Sequence, residues 1–430
     1  MEKKRVLVYP CGTEIGLEIY KSACRSTHFE LVGGSSSYDH GRFVFQNHID
    51  YLPFITDESG QTEIEAFAWQ LREHAIDFIY PAMDGVVYKF AEYRHLFNCG
   101  IVAPDFETAC VTRSKLRTYQ ALEDVVPVPR LFDPADGNLA FPLFLKPDVG
   151  QGSVGASKVS NRKELEYLLS KADGQILLME YLPGEELTVD CFTNGEGNLV
   201  YAGARRRKRI KSGISVNAVA VEDEDLVRMA QAINRTIPQK GGWFFQVKAR
   251  GDGCYVLLEV ASRIAGASSF TRSLGVNLPL LTLHLYNGFE IDSVIVNQYA
   301  IELDRALTNT YKTDISYSHV YVDYDDNLVV DGRVNLQLVA FLYQCVNEGI
   351  PITMLTKHGD DLKDDLKKRR LDGLFDEVVH LQKEDEKYRH IKEADAIFID
   401  DSYGERLRVR QKLGINVFDA HMVECLLKET

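Results

Sequence analysis

The chain has 430 residues, 45% hydrophobic and 26% charged, a composition that excludes a disordered or fibrous protein and leaves room for about three units of ordinary size. A formal charge of −14 repels phosphate backbones at long range, which argues against nucleic acid and for a small-molecule enzyme. Eight cysteines without CxxC spacing suggest neither a zinc motif nor a disulfide framework, and MEKKRVLVYP runs straight into a strand-like segment rather than an apolar leader, so a cytoplasmic protein with no membrane partner is expected.

Strand-like runs RVLVY, FELVGG, DFIYP and GIVAP alternate with amphipathic stretches such as EIEAFAWQLREHAI, the order of a parallel α/β sheet. Next, TRSKLRTYQALEDV predicts a helix capped by Thr112 or Ser114 and stopped by the Pro127 and Pro129 segment, so a boundary is placed just before it. From FPLFLKP onward, β-rich pieces with Gly-containing turns are interrupted by the helical stretches RKELEYLLSKA and EDLVRMAQAINRTI, giving an α+β middle domain. Strand and helix alternation restarts with HVYVDYDD near His319 and continues through PITMLT and DAIFIDDS, a third and smaller α/β domain.

Four features of the middle domain suggest a nucleotide site. Lys146 ends the strand FLKP, and Gly150, Gly152, Ser153 and Gly155 follow in a loop that is either a plain glycine hairpin or a cradle whose N–H groups close on phosphate oxygens. In ILLMEYLPGEELTVDCF a buried strand leaves through a Pro-Gly turn, where backbone groups can meet a purine and Glu186 can accept from ribose hydroxyls. WFFQVKAR and YVLLEVASRIAGAS then set Gln246 and Glu259 among apolar neighbours, an amide oxygen and a carboxylate suited to magnesium, with Arg263 four residues on. Between the Glu186 strand and these two, ARRRKRIKSG offers Arg205, Arg207 and Lys211 on one strand face for an anionic substrate, or a basic loop that offsets nearby acids. Asp84 in YPAMDGV is either a pocket residue or a helix cap.

In order and spacing, Lys115, LFLKP, the GQGSVG loop, MEYLPGEE, Gln246 and LEVASR resemble the ATP-grasp superfamily, in its carbamoyl-phosphate-synthase-like branch. The resemblance implies a pre-ATP-grasp α/β domain over residues 1–112 and an ATP-grasp domain over 113–312. It places ATP phosphates on Lys115 and Lys146 and on the loop with Gly152, Ser153 and Gly155, adenine at Glu180, Tyr181 and Leu182, and ribose at Glu186. Magnesium, or manganese in its stead, would sit on Gln246 and Glu259, with Arg263 near the transferred phosphoryl group. The activity implied is ligation of a carboxylate to an amine or similar nucleophile through an acyl phosphate, with ADP formed; an ATP-dependent phosphotransferase and a non-catalytic nucleotide-binding scaffold are the alternatives. One departure stands out: where the family usually has Asn two residues after the metal-binding Glu, this chain has Ala261, which cannot ligate. A homodimer would fit the family.

In the third domain, VYVDYDDNL puts Asp323 at the end of an apolar strand and Asp325 two residues later, while Thr356 and Asp400-Asp401 follow two further strands. Such strand ends converge where open α/β folds bind ligands. Over residues 318–430 the pattern resembles the haloacid-dehalogenase (HAD) superfamily, a Rossmannoid fold. That resemblance makes Asp323 the nucleophile, Asp325 the general acid/base, Thr356 a phosphate ligand, Lys383 or Lys392 the charge-stabilising lysine, and Asp400 or Asp401, with the first two aspartates, magnesium ligands. It implies a phosphatase acting on a phosphorylated substrate; Asn327 replaces the usual Thr.

Overall fold

The computed structural model describes residues 2–152, 154–211, 213–359 and 361–428. Chain contacts divide the protein into Met1–Leu307 and Thr308–Thr430, so the expected limit at residue 112 falls inside the first unit.

The first unit begins with a five-stranded parallel sheet in the order Asn47–Ile49, Phe29–Gly34, Lys4–Tyr9, Phe78–Pro81, Gly100–Ile101. Successive side chains of a strand face opposite ways, and here both faces are covered, which is why the strands read as near-continuous apolar runs. Leu7, Tyr9 and Ile79 pack with Ile64, Phe67 and Phe90 on one side. Val6, Val8 and Tyr80 pack on the other with Ile19, Leu278, Leu283 and Leu285. The helix Leu278–Tyr286 therefore shares a core with the first forty residues, although more than 200 residues separate them in sequence.

An antiparallel sheet of four strands, in the order Leu131–Phe132, Ile176–Glu180, Leu143–Pro147, Ser157–Val159, follows. A larger antiparallel sheet orders Tyr255–Ala261, Gly241–Ala249, Glu186–Thr193, Leu199–Lys211, Ile214–Val221 and Glu302–Asp304. Helix Glu224–Thr236 lays Leu226, Met229, Ala230 and Ile233 against Leu187, Val189 and Phe245 of that sheet, each large side chain contributing about 1.5–3 kcal/mol by leaving water. Ser114, not Thr112, caps the helix Lys115–Leu122, its hydroxyl accepting from the Arg117 N–H at 3.1 Å.

The second unit is a doubly covered parallel sheet in the order Glu377–His380, Ile352–Thr356, Val320–Val322, Ile397–Ile399, Asn416–Phe418. Helix Leu336–Glu348 buries Leu338, Phe341 and Leu342 on one face and ends on Gly349, whose φ of 70° provides the left-handed C-cap. The order reverses about Val320–Val322, and the strands on either side deliver their C-terminal ends to one crevice. No helix among the described residues is long and apolar enough to cross a membrane.

Candidate active sites

In the first unit, Lys115, Lys146, Gly150, Gly152, Glu186, Arg207, Gln246 and Glu259 line one cleft. Their convergence has local causes. Gln246 and Glu259 are direct partners across two antiparallel strands, and the register slips immediately afterwards, so Leu258 bulges. The carbonyl freed by the bulge accepts from Lys146 Nζ at 2.9 Å and from the Tyr119 hydroxyl at 2.8 Å. Asp148, two residues after Lys146, organises the other wall: its carboxylate accepts from Ser114 Oγ at 2.8 Å and the Leu116 N–H at 2.7 Å, while its carbonyl accepts from Lys115 Nζ at 3.0 Å. Sequence reading passed over Asp148, although an acid directly after FLKP could have drawn notice.

Charge in this cleft is incompletely paired. Burial pulls the Lys146 ammonium down to about 7, with Glu259 opposing and Lys115 reinforcing the shift. Burial lowers Lys115 as well. Among the described residues the Glu259 carboxylate makes no hydrogen bond or ion pair. Gly152 and Gly155 adopt φ of 64° and 74°, and a Cβ on Gly155 would approach Pro147 to 2.9 Å, so both the turn and its packing need glycine. Ser153 lies outside the described residues.

Beside this cleft a second chamber shares Gly152, Arg207, Gln246 and Glu259 and is completed by Thr13, Glu14, Ala82, Met83, Arg205 and Arg263. Thr13 and Ala82 follow the strands Lys4–Tyr9 and Phe78–Pro81, where the order of the parallel sheet reverses. Arg263 grips Asp84 through Nε at 2.7 Å and Nη2 at 2.6 Å; burial alone would raise Asp84, but Arg263 outweighs it and holds the carboxyl below its usual range. Asp84 is thus no helix cap: Met83 occupies that position. Arg205 is buried on Asp190, Nε to Oδ2 at 2.9 Å, and Arg207 pairs with Glu186, yet among the described residues Arg205 Nη1 and Arg207 Nε have no hydrogen-bond partner. Lys211 is exposed near the hairpin turn and is not among the residues lining either space.

The adenine expectation meets different contacts. Glu180 pairs with Arg250 at 2.7 Å, Tyr181 stacks under Lys158 Nζ at 4.4 Å, and Leu182 is buried; none of the three lines the cleft, whereas Glu186 does, on Arg207.

In the second unit, Asp323, Thr356 and Asp400 reach the crevice as expected, all three buried. The lysine that meets them is Lys387, at 2.6 Å from Asp323 Oδ1 and 2.6 Å from Asp400 Oδ2. Lys383 and Lys392 make no such contact, because the turn Lys387–His390, rather than the segments flanking it, faces the aspartates. Burial pushes Asp323 up to about 7, Asp400 adding to and Lys387 opposing the shift. Burial works against the Lys387 charge too, but the two carboxylates outweigh it and its pKa is raised. Ligand oxygens of Asp323, Asp400 and Asp401 lie within 4.8 Å of one another. Asp325, half exposed, contacts His358 Nδ1 at 2.7 Å. Asn327 donates to the Asp323 and Ile399 carbonyls at 3.0 and 3.2 Å, tying the nucleophile candidate's strand to the neighbouring one.

Comparison with known proteins follows the same division. A family model described as ATP-grasp in the biosynthetic pathway with Ter operon matches residues 173–308, and one described as D-ala D-ala ligase C-terminus matches residues 115–227. The chain is similar to a D-alanine–D-alanine ligase of Ruminiclostridium cellulolyticum, 33% identical over 90 residues, 20% of this chain and 22% of that protein. The match thus spans about a fifth of such curated relatives. Among solved structures, biotin carboxylase of Campylobacter jejuni, as its β-γ-ATP complex, covers 69% of this chain and 74% of its own at 17% identity and a TM-score of 0.58. An L-amino acid ligase of Bacillus licheniformis covers 68% and 75% at 18% identity and a TM-score of 0.55. Residues 115–308 thus match ATP-grasp and ligase models, and about two thirds of the chain shares its fold with these solved structures.

Proposed function

We propose that the first unit is an ATP- and magnesium-dependent ligase that activates a carboxylate as an acyl phosphate for attack by an amine or similar nucleophile. The observation that carries this reading is the cleft itself, where buried Lys146 and half-buried Lys115 face the Gln246–Glu259 pair and the space continues into a chamber lined by Arg205, Arg207 and Arg263. The residues fit magnesium nucleotide. Lys115 and Lys146 supply charge for phosphate oxygens, and Glu259 with the Gln246 amide oxygen supplies the hard oxygen donors that magnesium takes. Bound there, the nucleotide provides the phosphoryl group, and the metal neutralises charge developing on it.

Around that chemistry, this chain's residues do three things. Lys146 and Lys115 hold negative charge in a low-dielectric cleft, where a charge-assisted hydrogen bond is strong. Asp84 fixes Arg263 in one orientation at the shared boundary of sheet crevice and cleft. Arg205 and Arg207 lend positive charge to the chamber wall for an anionic substrate while Asp190 and Glu186 hold the guanidinium planes. The similarity to D-alanine–D-alanine and L-amino acid ligases favours an amino acid as carboxylate or amine. The test is ADP release across a panel of carboxylates and amines. Release that needs both would sustain a ligase; a stable phosphorylated product without amine would convert the reading to a phosphotransferase, and binding without turnover to a scaffold.

For the second unit the Asp323–Lys387–Asp400 cluster favours a metal-dependent phosphohydrolase. Asp323 would attack phosphorus while Asp325, held by His358, protonates the departing alcohol; water then attacks the aspartyl phosphate, regenerates Asp323 and releases phosphate. Lys387 and Thr356 would receive the phosphate oxygens, and Asp400 and Asp401 complete a magnesium site with Asp323. Release of phosphate from a simple phosphate ester, lost in Asp323→Asn, tests it.

A further inference from the structure

Cys11, Asp39 and His48 lie in the first unit and line neither described space. Cys11 follows the strand Lys4–Tyr9, Asp39 follows Phe29–Gly34, and His48 is the middle residue of Asn47–Ile49, so three adjacent parallel strands bring them to the same side of the sheet. One ligand atom from each lies within 4.8 Å of the other two. The Cys11 sulfur is 3.3 Å from His48 Nε2 and 3.1 Å from Ser35 Oγ, which donates to Asp39 Oδ2 at 2.6 Å.

We infer that Cys11, His48 and Asp39 hold one zinc ion, with the fourth position facing Ser35. A thiolate, an imidazole and a carboxylate form a donor set that suits zinc. Ligands at about 2.3 Å (sulfur) and 2.0 Å (nitrogen) from a tetrahedral ion lie roughly 3.5 Å apart, so the observed 3.3 Å between Sγ and Nε2 needs only tenths of an ångström of adjustment. The outer contacts agree. His48 Nδ1 lies 2.8 Å from the Asp50 carboxylate without the alignment of a hydrogen bond, and Asp50 is in turn held by Arg42 at 2.8 Å; a small turn of the ring would complete the carboxylate–histidine arrangement that orients metal ligands and leave Nε2 for the ion. Two glycines keep the donors clear: a Cβ on Gly41 would sit 2.2 Å from the Cys11 sulfur, and one on Gly12 would sit 2.3 Å from Asp39 Cγ. Binding replaces the thiol proton, which leaves to solvent as the zinc–sulfur bond forms.

The donors are 28 and 9 residues apart in sequence, so no zinc spacing is visible there; only the sheet assembles them. Cys11 and Ser35 are buried, so the fourth position is shielded from bulk solvent. The site's consequence is positional: Cys11 stands two residues before Thr13, which caps the helix Glu14–Ala23 and lines the second chamber, so the ion would fasten that chamber's floor to the segment from Ser35 to His48.

Cobalt(II) is the probe, added to chelator-stripped full-length protein carrying Asp323→Asn, which removes the competing aspartate cluster of the second unit. One equivalent should bind with a thiolate-to-cobalt charge-transfer band, zinc should displace it, and the melting temperature should rise with either ion. Cys11→Ser should abolish the band. Asp50→Asn, a half-exposed substitution that spares the ligands, should keep the band and weaken binding about 10- to 100-fold. Absence of the band, its survival in a folded Cys11→Ser protein, or an affinity untouched by Asp50→Asn would each overturn the assignment and leave a hydrogen-bonded polar cluster.

Discussion

Each unit buries one lysine at a strand-edge site, and the two are kept in opposite electrostatic states. Lys146 rests on the Leu258 carbonyl with no carboxylate in ion-pair contact among the described residues, and burial drags its pKa to about 7. Lys387 sits between Asp323 and Asp400, and its pKa is raised. The first site therefore awaits an anion from outside. The second is already neutralised, and phosphate and metal must rearrange an existing ion triad before reaction. A buried charge with a carboxylate partner stays charged on its own, whereas a buried charge without one depends on its ligand.

The contrast is broken most sharply by Asp323→Asn. Phosphate-ester hydrolysis should fall on the order of 10⁶-fold, as when the nucleophile of another coupled catalytic unit is removed, while ATP binding stays intact. Loss of ATP binding in that variant would show that the two sites are not independent. Next in size, Lys146→Ala should weaken magnesium-ATP binding about 10- to 100-fold, the cost of removing a charge-assisted contact, and leave ester hydrolysis unchanged.

A third effect is pH dependence. Bound polyphosphate must raise Lys146 above its free value near 7, so its contribution to affinity is complete below that value and is lost as pH climbs through the bound-state pKa. Titrations from pH 6.5 to 9 should show affinity falling by up to about tenfold per pH unit over part of that range. Lys146→Arg, whose charge does not titrate, should flatten the curve. A flat wild-type curve would mean that Lys146 is not at the phosphates. Smallest is Ser114→Ala, which removes the helix cap and its bond to Asp148; denaturant melts should show a loss of about 1 kcal/mol.

Wherever the chemistry is local in the chain, it is legible in the sequence. Strand alternation predicts both parallel sheets, and the resemblance carried by Lys146, Gln246 and Glu259 implies their meeting in one cleft. What eludes sequence reading is set by long-range packing. Helix Leu278–Tyr286 joins the N-terminal core because that sheet has a second face to cover, so the expected limit at residue 112 cuts through contacts that only the folded chain reveals. Asp84 orients Arg263 from a helix 179 residues away and Asp190 orients Arg205 from the paired neighbouring strand, and no periodicity announces such pairs. Lys387, rather than Lys383 or Lys392, meets the aspartates because a short turn decides which of three nearby lysines faces inward. Lys211 was read as an alternating strand residue, but the strand Leu199–Lys211 slips register after Arg207 and again after Arg209, and its end projects into solvent.

The account turns on the cleft of the first unit, and calorimetric titration of magnesium-ATP into wild-type protein and Glu259→Ala tests it most directly. Binding in the micromolar range by the wild type, weakened in the variant, is the result expected of a metal-nucleotide site built on Gln246 and Glu259. Absence of binding to a folded wild-type chain, or equal binding by both proteins, would contradict it.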